Sequence, residues 1–145
     1  MAQQVTSIVD DAAVEDLKTR VRGDLIRPGD AQYDEARKVY NGMIDKHPAL
    51  IVRCVDVADV ISAVNFAREK GLTLAVRGGG HNGPGLGTAD DAVVVDLSRM
   101  KGVYVDAANR TVRVQGGATI PAELVVCNGD APAIYKRLID PSCIE

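Results

Sequence analysis

The residues best suited to chemistry in this sequence lie in one run, Val76-Arg77-Gly78-Gly79-Gly80-His81-Asn82-Gly83-Pro84-Gly85-Leu86-Gly87. Six of these twelve residues are glycine. Left-handed backbone costs other residues about 1–2 kcal/mol each, so this density marks a path they follow only under strain. Successive N–H groups along such a path converge into a nest for an anion, and absent side chains let a ligand approach the main chain. A diphosphate is the natural guest, with Arg77 adding positive charge at the entrance. His81 supplies the run's one imidazole, a nucleophile in its neutral form near pH 7. Flexible linkers carry Ser and charge, whereas this run sits between two apolar segments and contains a single His.

The spelling Gly78-Gly79-Gly80-His81-Asn82-Gly83 matches GxGxxG after a predicted strand. A dinucleotide-binding Rossmann turn also needs a helix starting near Gly83 to offer its N-terminus to the pyrophosphate. Pro84-Gly85-Leu86-Gly87 is poor helix material. A Walker phosphate loop needs a Gly-Lys-Ser/Thr ending, which is missing.

The elements that must position this loop follow from periodicity. Asp11–Arg22 reads as a helix with Val14, Leu17 and Val21 on one stripe and Gly23 as its stop. A short helical stretch is expected over Asp34–Tyr40, ending at Asn41-Gly42. Leu50–Val55 reads as a strand buried on both faces. Asp56 then caps a helix, Asp59 sits in its first turn where the dipole favours negative charge, and Gly71 ends it. Its apolar stripe is Val57, Val60, Ile61, Val64 and Ala67. Leu72–Val76 completes a βαβ unit. The glycine loop follows, then a strand over Ala92–Leu97. Val103–Asp106 and Thr111–Gln115 form a hairpin with Asn109 at its bend.

The chain has 145 residues, a net charge of −3 and a hydrophobic fraction of 46%. These values suit one soluble domain or one lobe of a larger protein. With one Phe, four Tyr and no Trp, the core is aliphatic and rings for stacking bases are scarce. Acids and bases are interspersed, so no basic stripe marks a nucleic-acid partner. No stretch is apolar for the roughly 18 residues of a membrane span, and the start is not a signal peptide. Cys54, Cys127 and Cys143 form neither a disulfide framework nor a zinc pair, and a reducing cytoplasm is expected. Cys54, in an apolar strand, reads as a small core residue. His47, before Pro48, reads as a surface residue.

Taken together, LTLAVRGGGHNGPG, VVVDLSRMKGVYVD and RTVRVQGGAT, with ARKVYNGMIDKHPALIVRCVDVADVISAVNFAREKG upstream, resemble one known family. It is the FAD-linked oxidases with a PCMH-type FAD-binding domain, and nearest its berberine bridge enzyme-like and 6-hydroxynicotine oxidase-like branch. The likeness runs from about Gly23 to Thr119. It implies an α+β fold: the first lobe of the PCMH-type domain, a small βαβ-containing sheet with flanking helices and a β-hairpin. It also implies FAD as cofactor, with Arg77, Gly78, Gly79, Gly80, His81, Asn82, Gly85 and Leu86 as cofactor-binding residues. In this family the residue matching His81 is commonly bonded through a ring nitrogen to the flavin's 8α-methyl carbon. Asp96 matches a strand ending and has a structural role. Gly116 and Gly117 match the crossing into the second lobe, where they line the flavin or merely make a turn.

The resemblance stops near Thr119, dividing the chain into an FAD-binding lobe over 1–119 and a divergent tail over 120–145. The second lobe, the substrate domain with its catalytic base, and the family's second, cysteine flavin link have no counterpart. Cys127 and Cys143 lack the surrounding pattern. The expectation is therefore a truncated, amino-terminal part of an FAD-dependent oxidoreductase with a small-molecule substrate, inactive alone and retaining FAD weakly. No catalytic residue or metal ligand is assigned. The alternatives are a non-catalytic half-domain needing a partner chain and, behind it, an NAD-binding Rossmann module.

Overall fold

The computed structural model describes residues 9–118. Helix α1 (Asp11–Arg20) begins where the Asp10 carboxylate accepts the Ala12 N–H at 3.1 Å. It buries Val14 and Leu17 and ends two residues before the expected Arg22, because Val21 is already extended (φ −109°). Gly23 is not a helix stop. A Cβ there would stand 1.9 Å from the Arg53 carbonyl oxygen, so the glycine lets strand β1 (Asp24–Ile26) close antiparallel onto β2 (Leu50–Arg53).

Helix α2 (Tyr33–Ala36) is a single turn, shorter than the stretch expected to reach Tyr40. The Tyr33 hydroxyl donates to the Pro48 carbonyl at 2.8 Å and fixes it in place. The chain beyond is claimed by a tertiary contact, in which the Tyr40 N–H donates to the Gly80 carbonyl at 3.0 Å.

Helix α3 (Val57–Glu69) is capped as expected, the Asp56 carboxylate accepting the Asp59 N–H at 3.0 Å. Its buried stripe differs from the predicted one. Asp59, Ala63, Phe66 and Ala67 face inward, whereas Val57 and Ile61 are 61% and 55% exposed. The cause is the Asp59 carboxylate, which accepts N–H groups from Arg22 (2.8 Å), Gly23 (3.1 Å) and Val55 (3.0 Å). Burial of a charge is tolerated when its hydrogen bonds are made, and making these three turns that edge of the helix to the sheet. Gly71, at φ +64°, ends the helix as predicted.

Strands β3 (Leu74–Arg77) and β4 (Val93–Asp96) complete a sheet of order β1-β2-β4-β3, in which β2, β4 and β3 run parallel. The predicted βαβ unit is thus a crossover that leaves one place, and β4 fills it. All four residues of β4 are buried. Leu50, Val52, Val93 and Val95 pack against α1 and α3 on one face; Ile51, Val94 and Ala75 meet Ile26, Tyr33 and Ala36 on the other. That double burial is what a continuous β-branched run specifies.

Strands β5 (Val103–Asp106) and β6 (Thr111–Val114) form the predicted hairpin, separate from the main sheet. Asn109 lies in its bend and binds the Asp106 carboxylate through its N–H (3.0 Å) and Nδ2 (2.8 Å), while Arg110 takes the left-handed conformation (φ +50°). Among the described residues no helix is long and apolar enough to cross a membrane. The predicted boundary at 119 and 120, with Cys127 and Cys143, lies outside the described residues.

Candidate functional site: a cleft in the glycine loop

The glycine loop leaves the carboxyl end of β3. One ladder bond continues past the strand, the Leu97 N–H donating to the Arg77 carbonyl at 2.8 Å. The chain then departs from the sheet and encloses a cleft of about 260 Å³, lined by Val76 to Asn82, Leu86 and Gly87. Of the residues named from sequence, Arg77, Gly78, Gly79, Gly80, His81, Asn82 and Leu86 line it. Gly85 does not: it is buried beneath Ile44, and a Cβ on it would stand 2.9 Å from that side chain.

The loop's amides are unspent. Among the described residues, the N–H groups of Gly78, Gly79, Gly80, His81 and Asn82 donate to no protein acceptor. Further along, two amides close a turn: the Leu86 N–H donates to Asn82 Oδ1 (2.9 Å) and the Gly85 N–H to the Asn82 carbonyl (3.1 Å). Asn82 therefore shapes the loop while its own N–H stays free. Gly78 and Gly80 are half-buried and Gly79, His81 and Asn82 exposed, and a run of unpaired N–H groups of this kind attracts an anion.

The glycine density has a different origin from the one predicted. Within the loop only Gly80 (φ +74°) and Gly85 (φ +80°) take left-handed backbone. Gly78 answers a close approach instead, since a Cβ there would lie 2.5 Å from the Gly116 carbonyl oxygen. Gly116 and Gly117 in turn pack on Leu97, a Cβ on Gly117 falling 2.0 Å from the Leu97 carbonyl oxygen. Gly117 is thus required by its close approach to the Leu97 backbone, whereas Gly116 meets only the end of the Leu97 side chain.

Arg77 also differs from expectation. Its guanidinium is not charge at the entrance but is buried beneath the loop. It donates to the Asp96 carboxylate (2.8 Å), the Ala36 carbonyl (2.6 Å) and the Lys38 carbonyl (3.1 Å). The side chain alternation of a strand decides this: Ala75 and Arg77 point inward, Leu74 and Val76 outward. Asp96 is the matching anion, as its structural assignment required. Burial pushes its carboxyl up, but the Ser98 N–H at 2.9 Å and the Arg77 guanidinium outweigh this and hold it below the ordinary value.

Arg77 thereby ties the glycine loop to the segment after α2, which braces the loop from outside the cleft lining. Tyr40 holds the Gly80 carbonyl through its backbone, and Asn41 Nδ2 donates to the Gly83 carbonyl at 2.9 Å. Neither residue was singled out from sequence, where Asn41-Gly42 read only as a helix end. No local signal could have found them, because their partners lie about forty positions away. His81 is exposed at the rim, with its ring centroid 5.2 Å from that of Tyr40.

Elsewhere, His47 is exposed, and Cys54 is fully buried with its thiol pushed up to about 12 by burial. Among the described residues no group of three or more His, Cys, Asp or Glu could hold a metal ion. Gly83 to Gly87 forms turns and not a helix, which removes the Rossmann reading.

Comparison with known proteins gives a consistent answer. Residues 48–124 match the FAD binding domain family. (R)-6-hydroxynicotine oxidase of Paenarthrobacter nicotinovorans is 36% identical over 105 residues, which are 72% of this chain and 23% of that protein. Berberine bridge enzyme-like 18 of Arabidopsis thaliana is 44% identical over 75 residues, 50% of this chain and 14% of that one. Among solved structures, 6-hydroxy-D-nicotine oxidase from Arthrobacter nicotinovorans superposes with a TM-score of 0.64 at 36% identity, over 68% of this chain and 22% of that chain. Physcomitrella patens BBE-like 1 gives 0.63 at 31% identity, over 70% and 22%. The sheet, helices and hairpin thus match part of the PCMH-type FAD-binding fold of such enzymes, and the chain spans less than a quarter of these relatives' length.

Proposed function

This chain belongs to the FAD binding domain family, in its berberine bridge enzyme-like and 6-hydroxynicotine oxidase-like branch, and from that premise we propose that the glycine loop holds the FAD pyrophosphate. The observation that carries the reading is the run of five unspent amides from Gly78 to Asn82 around an open cleft. A pyrophosphate needs several donors and close main-chain approach, and the unpaired N–H groups and glycines beside the cleft support that role without a helix N-terminus. Gly80, at φ +74°, and the Asn82-centred turn set the curvature. Arg77 and Asp96 hold the loop from below.

His81 is the residue we assign to holding the flavin covalently through a ring nitrogen. Its exposed position at the cleft rim supports that assignment. When bound, the flavin supplies a two-electron acceptor for hydride from a small-molecule substrate, with dioxygen as the oxidant that restores it. This chain's own contribution is to bind and orient the cofactor, because proton abstraction and substrate placement need groups held over the ring. We place the lobe at 1–119 and its working environment in the cytoplasm. Acting alone, it is expected to retain FAD weakly and to show no oxidase turnover.

A second reading, a half-domain that works only with further polypeptide, is favoured by the hairpin, whose strands are exposed throughout. The two readings share one test. An isotope-labelled chain is titrated with FAD, with ADP and with riboflavin while its amide resonances are followed. FAD and ADP, which carry a pyrophosphate, are expected to shift Gly78 to Asn82, and riboflavin is not. Equal response to riboflavin, or silence of these five amides while others move, overturns the pyrophosphate assignment.

A further inference from the structure

His81 is not simply a histidine on a loop; its ring lies in a slot. On one side is Gly79, where an added Cβ would stand 2.8 Å from His81 Cδ2 and 3.4 Å from Nε2. On another is the Tyr40 ring, at 5.2 Å between centroids with the planes tilted by 43°. That separation and tilt fall in the range where aromatic rings attract each other. The Tyr40 ring is 79% exposed, so the protein interior does not need it. Its backbone is fixed independently, through the N–H bond to the Gly80 carbonyl at 3.0 Å. An aromatic side chain held by its main chain one residue from the imidazole's attachment point, largely in solvent and with that imidazole as its ring partner, is placed to act on the imidazole.

We infer that Tyr40 is a positioning residue which, with Gly79, fixes the orientation of the His81 imidazole at the rim of the cleft. The inference rests on the reading of His81 as the flavin's attachment residue. That attachment replaces a C–H bond of the flavin methyl group by a C–N bond. Two protons leave, one from the methyl carbon and one from the imidazole, and two electrons pass to dioxygen, giving hydrogen peroxide. Bond formation of this kind depends on the angle at which the nitrogen is presented, so a fixed imidazole reacts faster than a freely rotating one.

The slot is tested first without flavin. In the 145-residue chain, nuclear Overhauser contacts are expected between the Tyr40 ring and the His81 ring protons. Tyr40→Phe keeps them, and Tyr40→Ala changes the His81 ring shifts while the amide spectrum of the sheet is unaltered. Gly79→Ala has an ordinary backbone conformation and meets only a movable side chain, so the chain folds but the imidazole is displaced and the contact to Tyr40 is lost. Absence of ring contacts in the unaltered chain overturns the proposal.

The second arm incubates each variant with FAD and measures acid-stable flavin by absorbance and mass. Tyr40→Phe is expected to match the unaltered chain, and Tyr40→Ala to fall about threefold or more in rate, in keeping with loss of one aromatic contact. Attachment that persists in His81→Ala sinks the assignment of His81 and leaves the slot to the first arm. Attachment that requires His81 but proceeds equally fast in Tyr40→Ala sinks the role of Tyr40 alone.

Discussion

Strand β4 and the hairpin are built from nearly the same residues and have opposite surroundings. Val93, Val94 and Val95 are all fully buried, with apolar side chains above and below. In the hairpin, the register Val103↔Val114 and Val105↔Val112 puts four valines on one face, yet they remain 42%, 43%, 71% and 57% exposed in that order. Tyr104, Asp106, Thr111 and Arg113 share the other face. Valine content therefore says that a segment is a strand, and not whether this lobe supplies its cover. The difference separates a finished core from a surface that stays open among the described residues.

The largest expected effect comes from placing a charge in the finished region. Val95→Asp puts an unpaired carboxylate between α3 and the sheet, at a cost that rivals the roughly 5–15 kcal/mol stability of a whole domain. Loss of cooperative unfolding by circular dichroism checks it, and a normal transition would mean that β4 is not the centre of this fold.

Next comes Asp96→Asn, which leaves the Arg77 guanidinium buried without its anion and is expected to cost about 3–5 kcal/mol in urea unfolding. Because Asp96 is held below its ordinary value of 3.8, its contribution is complete above that value and is lost as pH falls through the lower folded one. Comparing about pH 6 with about pH 3, the unaltered chain should lose more stability than Asp96→Asn. Equal losses would show that the pair does not set the acid limb.

The smallest effect belongs to the open region. Val112→Thr is expected to change the unfolding midpoint by no more than about 0.5 kcal/mol equivalent, since its side chain is largely in water already. A loss of 2 kcal/mol or more, about what burial of a Val implies, would show that the valine face is covered in solution.

Much of this architecture was legible because local and tertiary signals agree. The β-branched runs at Ile51 and Val94, the Asp56 cap, the Gly71 terminator and the hairpin around Asn109 each follow from short-range rules. What was not legible depends on partners far along the chain. The inward edge of α3 is set by three amides that reach Asp59 from Arg22, Gly23 and Val55. The direction of Arg77 is set by Asp96 and by carbonyls at Ala36 and Lys38. The glycine loop itself announced its place and its free amides, but not the brace behind it, because Tyr40 and Asn41 make no pattern with their sequence neighbours.

The strand order β1-β2-β4-β3 also bears on how the lobe assembles during synthesis. β2 and β3 share no hydrogen-bonded edge, so a nascent chain that has reached the end of the glycine loop has nothing to hold β3 in register. Only when residues 93–96 emerge can both be captured, each on one side of β4. The Asp96 carboxylate arrives last in that strand and locks Arg77 from beneath. Non-local parallel pairing is slow, and it leaves edges exposed while it waits. On this order the glycine loop takes its shape only after β4 pairs, and a ribosome paused before codon 93 would hold a chain that has the loop's residues without its shape.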